Sequence, residues 1–378
     1  MGGVKKQASG NGGERWMSLE GRADGPASVG RYTSRLAAIG ALVPERRVSS
    51  DELMASTKHR THVGLERLTG IHEHHVVGEG EDSYTLALGA ARDALAHADC
   101  TAEDLDVLID SSISRHVGGL RTQLEPPVSL ALKEALGARC ATSFDLTNAC
   151  AGMMTGVFIL NDLIRQGRIR RGMVVSGEYI SDLAVNAARE VRTIMSKQLA
   201  SLTLGDAGAA VIVERAPDGA PGIEVAGFTT LAEHSRLCMA FPAKWGRGES
   251  MYSDARGLQN VAIEAAPPLL REALDEAGLG FDQIDYVIPH QTSARAIKKG
   301  LRDISGSLGA APKHVVVTVD EYGNTASTTH FVALRKYLRE GRFAEQDRVL
   351  LLALASGLEV GIIIFKVDHL VGRYGHDH

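Results

Sequence analysis

The chain has 378 residues, with 41 Lys plus Arg against 46 Asp plus Glu and a formal net charge of −5. That balance excludes a general nucleic-acid binder held by phosphate contacts. An apolar share of 44% with 23% charged residues excludes disorder along most of the chain. No stretch approaches the ~18 to 20 uninterrupted apolar residues of a membrane span. The length suits roughly two to three domain-sized units. Four scattered cysteines, Cys100, Cys140, Cys150 and Cys238, form no CxxC pair. No disulfide scaffold, zinc site or other metal site is therefore expected, and a reducing cytoplasm is the expected location.

In chain order, residues 1–29 are rich in Gly, Ser and charge and read as a disordered leader or expression remnant, with order beginning near Tyr32. Apolar spacing at Leu86, Leu88, Ala91 and Leu95 predicts a helix over 83–98. LDVLIDSS (105–112) predicts a buried strand. A helix is expected after Pro126 and Pro127, a strand over 142–147, a helix over 150–166, and strands over 171–178 and 209–214. Continuous apolar runs bounded by turn residues suit sheets covered by helices on both faces.

The second half repeats the first. ARDALAHADCTAEDLDVLID (91–110) lies over LREALDEAGLGFDQIDYVIP (270–289) without a gap, at an offset of 179. Farther on, FDLTNACAGMMTGVFILNDLIRQGR, ending at Arg168, lies over TVDEYGNTASTTHFVALRKYLREGR, ending at Arg342. That offset is 174 and sets Cys150 against Asn324. The expected division is 30–219 for an N-terminal half and 220–378 for a C-terminal half.

Four junctions carry groups that could do chemistry. Cys150 stands among small residues (Asn148-Ala149-Cys150-Ala151-Gly152) at a helix start, where the dipole favours a thiolate; a buried structural cysteine is the competing reading. His290 ends an apolar strand in VIPHQTSAR, where open α/β sheets carry function. Asn324 in EYGNTAS could donate its amide to an oxygen gaining charge, or serve as a helix cap. Ser356 with Gly357 follows the strand VLLLALA, and a backbone N–H there could act as an oxyanion donor. His72, His74 and His75 read as a surface turn, since their spacing has no zinc signature. The glycines of 205–208 open no dinucleotide-binding helix.

Taken together, DLTNACAGMMTG around Cys150, PHQTSAR at His290, GNTAS at Asn324, LGDAGAAVIVE (204–214) and TGIHEHH (69–75) resemble the thiolase superfamily. The closer likeness is to its ketoacyl-ACP synthase III group, over roughly residues 31–368. The resemblance implies a five-layered αβαβα fold from two duplicated halves, usually as a homodimer. It implies a cysteine nucleophile at Cys150, which takes an acyl group from a thioester. His290 and Asn324 then hold the enolate oxygen during a Claisen condensation, and the N–H groups of Cys150 and Ser356 form the oxyanion hole. No tightly bound cofactor is implied; acyl-CoA or acyl carrier protein brings the substrates.

A narrower likeness is to the OleA-type head-to-head condensing enzymes. It rests on SSISR (111–115), ASLTLG (200–205), Ser356-Gly357-Leu358, and Glu125 in a Leu-Glu-Pro segment. In that subgroup a similar glutamate reaches the partner subunit's site as the base. A decarboxylative synthase using malonyl-carrier, an acyltransferase making an ester or amide, and a non-catalytic subunit of a heterodimer are the alternatives. Against the common synthase III pattern, Gly64 and Leu68 replace a tryptophan and an arginine that grip the CoA adenine, and His330 replaces a proline. Arg295 matches an arginine linked to carrier-protein docking. With Lys298, Lys299 and Arg302 it forms a basic stripe along one helix face, able to attract an acidic carrier protein.

Overall fold

The computed structural model describes residues 31–59, 64–244 and 246–374, together with the backbone of Met17–Ser18. Apart from those two residues, the expected leader over 1–29 lies outside the described residues. Met17 and Ser18 pair antiparallel with Phe228 and Gly227 on a sheet edge.

Two sheets carry the fold. The first contains β1 (Ser34–Leu42), β2 (Val107–Asp110), β3 (Thr142–Asp145), β4 (Arg171–Glu178) and β5 (Ala207–Arg215), in the order β1-β5-β4-β2-β3. The second contains β6 (Ile223–Thr230), β7 (Tyr286–Pro289), β8 (His314–Val315), β9 (Arg348–Ala355) and β10 (Glu359–Lys366). Its order is β6-β10-β9-β7-β8, with Met17–Ser18 beyond β6. The pairing sense matches strand for strand. Two antiparallel pairs lead into two parallel pairs in each sheet.

Side-chain alternation along the strands builds the layers. Val349, Leu351, Ala353 and Ala355 of β9 and Ala207, Ala209, Val211 and Val213 of β5 face a shared interior. Filling it are α3 (Gly152–Arg165), through Met153, Met154, Val157 and Leu160, and α7 (Thr329–Arg339), through Phe331 to Leu334. On the outer face of the first sheet, α1 (Ser83–Ala96) and α2 (Val128–Leu136) cover Met173, Val175, Ala210 and Ile212. On the outer face of the second, α5 (Ala255–Ala277) and α6 (Ala294–Leu308) cover Leu350, Leu352, Ile362 and Ile364. Helix, sheet, helix, sheet, helix is the five-layered αβαβα arrangement of the thiolase fold.

The strand and helix predictions agree with the structure to within two residues at each end; the strands expected over 105–112 and 142–147 are the shorter Val107–Asp110 and Thr142–Asp145. The offset of the repeat needs correction. Turn Ala149–Ala151 corresponds to Ala326–Thr328, Gly152 to Thr329, and Arg171 to Arg348, each 177 positions on. The offset of 174 holds only at the helix ends, at Gly167 and Gly341, both in the left-handed region. Helix α7 stops three residues earlier and its following loop is longer. Cys150 therefore stands opposite Ser327, not Asn324.

The C-terminal segment laces the halves together. Tyr374 is buried against the shared interior. Its hydroxyl accepts from Ile39 N–H at 2.6 Å and donates to Ile39 C=O at 2.9 Å.

Candidate active site

Each central helix is entered through the same joint, a 3₁₀ turn with an alanine in the left-handed region. Ala149 has φ 44° and Ala326 φ 50°, a conformation costing an ordinary residue about 1 kcal/mol or more. That kink sets Cys150 in the turn, ahead of α3. The residue is half-buried but its sulfur lies inside. Backbone N–H groups of Ser356, just past β9, and of Cys150 itself lie near enough to the sulfur to favour its charged form.

The helix start does not make a thiolate. Burial, with Cys238 and Glu178 nearby, pushes the Cys150 thiol up to about 12, against the opposite pull of the two N–H groups. Desolvation outweighs the dipole here because a charge in the interior loses its hydration shell.

Ser327, the counterpart of Cys150, is spent on structure. Its hydroxyl donates to Glu178 Oε1 at 2.5 Å and meets Ser176 Oγ at 2.7 Å. Glu178, fully buried at the end of β4, also accepts from the N–H groups of Ile113 at 3.0 Å and Ser114 at 3.2 Å, and from the Ser176 and Ser114 hydroxyls. Burial raises its pKa against these hydrogen bonds. The SSISR motif is in part this cradle. No sequence signal beyond a lone carboxylate ending an apolar strand marks Glu178.

Asn324 is held on both sides of its backbone: its N–H donates to Thr203 C=O at 2.8 Å, and its C=O accepts from Gly205 N–H at 3.0 Å. Gly205 explains the glycine-rich segment, since a Cβ there would sit 2.2 Å from Tyr322 C=O. Side-chain Oδ1 of Asn324 accepts from Ala326 N–H at 3.0 Å. That fixes the amide orientation and leaves its NH₂ as a donor.

His290 follows β7, the strand beside β9, and its backbone N–H donates to Leu352 C=O at 2.9 Å. The same carbonyl lies 3.1 Å from His330 Nε2, so His330 carries its proton on that nitrogen. The two rings are 5.9 Å apart. Burial, with His330 beside it, holds the His290 imidazole down at about 3; burial holds His330 down at about 4. His290 is therefore a neutral imidazole at any ordinary pH.

Glu125 is exposed, in the loop ahead of α2. Asp145, at the end of edge strand β3, fixes that loop by accepting from Val128 and Ser129 N–H at 3.2 and 3.0 Å. Leu124, next to Glu125 in the chain, is 81% exposed, and Ile113, Leu130 and Phe144 are also exposed. On α6, Arg295, Lys298, Lys299 and Arg302 are exposed opposite the buried Ala294, Ile297, Leu301 and Ile304. Lys299 is paired with Asp303 at 2.7 Å. Arg295 lines a cavity of about 500 Å³ with Gly64, Arg67 and His72. His74 and His75 are not a surface turn. They are buried on a two-stranded ribbon with Arg47–Ser49.

Comparison with known proteins decides the family. A model of 3-oxoacyl-[acyl-carrier-protein] synthase III matches residues 144–232, and that of its C-terminal part matches 274–367. The β-ketoacyl-[acyl-carrier-protein] synthase III of Symbiobacterium thermophilum is 30% identical over 341 residues, 87% of this chain and 96% of the relative. The chain belongs to the ketoacyl-ACP synthase III family. It is thereby an enzyme of the thioester-condensing, thiolase-fold type. The synthase III of Methylococcus capsulatus is 28% identical over 89% of this chain and all of the relative. Among solved structures, cerulenin-bound Xanthomonas campestris OleA shares the fold at TM-score 0.77 and 24% identity, over 90% of this chain and 99% of that one. A cysteine-to-serine variant of that enzyme with bound lauric acid and lauroyl-CoA shares it at 0.77 and 24%, over 89% and 99%. Among the described residues, no helix is long and apolar enough to cross a membrane.

Proposed function

We propose that this synthase III-family chain joins two acyl thioesters head to head, with Cys150 as nucleophile. The observation that carries the reading is the place of Cys150 in the turn ahead of α3, its sulfur near the Ser356 and Cys150 N–H groups. In the first step the sulfur attacks a thioester carbonyl, and the oxyanion meets those donors, each worth about 3 kcal/mol. The thiol proton leaves with the departing thiol, so the exchange yields an S-acyl Cys150 and free CoA or carrier thiol. A second thioester loses an α-proton, and its enolate oxygen is held by the neutral His290 N–H and the Asn324 amide. The carbanion attacks the acyl carbonyl and expels the Cys150 sulfur, leaving a β-keto thioester.

Glu125 of a second copy is the base. Its exposure beside an apolar outer patch and edge strand β3 supports delivery across a homodimer interface. The exposed Arg295, Lys298 and Arg302 would receive an acyl carrier protein, with acyl-CoA as the other donor and no tightly bound cofactor. The cytoplasm is the setting that supplies both thioesters.

Decarboxylative extension with malonyl-carrier is the second reading, supported by the likeness to β-ketoacyl-[acyl-carrier-protein] synthase III proteins over most of the chain. Product mass separates the two. With a long-chain acyl thioester alone, the proposal expects a doubled β-keto product, lost in Glu125→Ala while Cys150 still acylates. Product formed only from malonyl thioester with release of CO₂, and unaffected by Glu125→Ala, overturns it.

A further inference from the structure

The loop between β2 and α2 carries Glu125, and its middle folds back on itself: Val117 N–H donates to Arg121 C=O at 3.0 Å, and His116 bridges to Thr122. His116 is only 2% exposed, unusual for a loop residue, and neither ring nitrogen has a hydrogen-bond partner. Its Nε2 stands 3.5 Å from Glu249 Oε2, too long for a good hydrogen bond. Asp182, in the first turn of helix α4 (Ser181–Glu190), is buried and accepts from Glu249 N–H at 3.2 Å. One donor atom from each of His116, Asp182 and Glu249 lies within 4.8 Å of the other two.

Room for this convergence is built into the backbone. Gly248 has φ +71°, and a Cβ there would lie 1.9 Å from Asp182 Oδ2. His116 is the ion-pair partner of Glu249 and acts electrostatically on Asp182. A buried carboxylate and a partly exposed one thus share one buried imidazole, a negative excess that a cation would offset.

We propose that His116, Asp182 and Glu249 form a divalent-cation site that pins the loop between β2 and α2 to α4 and to the strand Glu249–Ser253. One imidazole with two carboxylates suits a borderline ion such as Zn²⁺ better than Mg²⁺ or Ca²⁺, which favour all-oxygen shells. Bonds of about 2.0–2.2 Å put tetrahedral donors roughly 3.4 Å apart, so the cluster closes by about 1 Å on binding. Glu249, with 36% of its side chain exposed, leaves a way in for the ion and for a water as fourth ligand. The site stands whether or not Glu125 is the base.

The probe is Zn²⁺ alone, titrated calorimetrically into the metal-stripped full chain carrying Cys150→Ala, so that the Cys150 sulfur cannot bind it. One equivalent should bind and raise Tm. Glu249→Gln and Asp182→Asn should each weaken binding at least tenfold and abolish the Tm rise. Unchanged affinity in both variants, or no saturable equivalent, overturns the proposal. Co²⁺ in the unaltered chain gives a reading independent of variant folding. Visible bands without a sulfur-to-cobalt charge-transfer band support the site, whereas a charge-transfer band assigns the metal to cysteine and overturns it.

Discussion

The two halves use one joint and load it differently. Ser327 and Cys150 occupy matching places, in turns that start 177 positions apart and hold Ala326 and Ala149 at positive φ. The C-terminal hydroxyl reaches across to a carboxylate, Glu178, at the end of the N-terminal strand β4. The N-terminal thiol reaches across to a backbone N–H at Ser356, past the matching end of β9. At the position matching Glu178 stands Ala355. One crossing is saturated and closed; the other ends on donors that a passing oxyanion can share. On the proposed reading, a duplicated fold obtains a single reactive centre by filling one of two equivalent positions with a carboxylate.

The hardest test of that asymmetry exchanges the reactive atom. Cys150→Ala should abolish acylation, at least about a 10³-fold loss, and Ser327→Cys in that background should not restore it. Intact-protein mass after incubation with acyl thioesters reads both; an acyl adduct on the double variant would show the two positions to be equivalent. Next in size, Ser356→Pro removes one N–H donor and should slow acylation about 10²- to 10³-fold, while Ser356→Ala keeps the N–H and stays within about threefold. Single-turnover kinetics decide, and a large loss in the alanine variant would assign the effect to the hydroxyl.

Glu178→Ala strips the acceptor from Ser327, Ser176 and two backbone N–H groups, and should cost about 3 kcal/mol in urea unfolding. A cost below about 1 kcal/mol would mean the crossing is not structural. The smallest effects are those of pH. Alkylation of Cys150 by iodoacetamide should climb about tenfold per pH unit through pH 9 with no plateau near 7, because the thiol titrates at about 12. His290 and His330 are held low, at about 3 and 4, so the unfolded chain takes up protons first. Stability is therefore full above about pH 6.5 and falls as pH drops from there towards 4, by at most about 1.4 kcal/mol per unit for each group. His330→Leu should flatten that slope; an unchanged slope would place the titration elsewhere.

Much of this is legible in the chain itself. Apolar runs such as RGMVVSGE and AAVIVE locate the buried strands, because a strand covered on both faces needs no polar alternation. The motifs around Cys150, His290 and Asn324 point to the joints. The repeat reads three residues out of register at Cys150 because the helix ends match better in sequence than the helix starts. The thiol's protonation escapes the sequence because a dipole is read from position, whereas desolvation depends on everything packed around it. Glu178, His116, Asp182 and Glu249 pass unnoticed for a similar reason. Each is one polar residue among ordinary neighbours, and only chain reversals tens to more than a hundred residues long bring them to their partners.

The bond pair between Tyr374 and Ile39 bears on how the molecule is made. Strand β1 emerges early from the ribosome, yet the ring that satisfies its backbone arrives some 335 residues later. At 5–20 residues per second, that slot waits roughly 17 to 67 seconds. Until then the backbone pair of Ile39 stays unmet within a mostly apolar strand, a natural grip for chaperones.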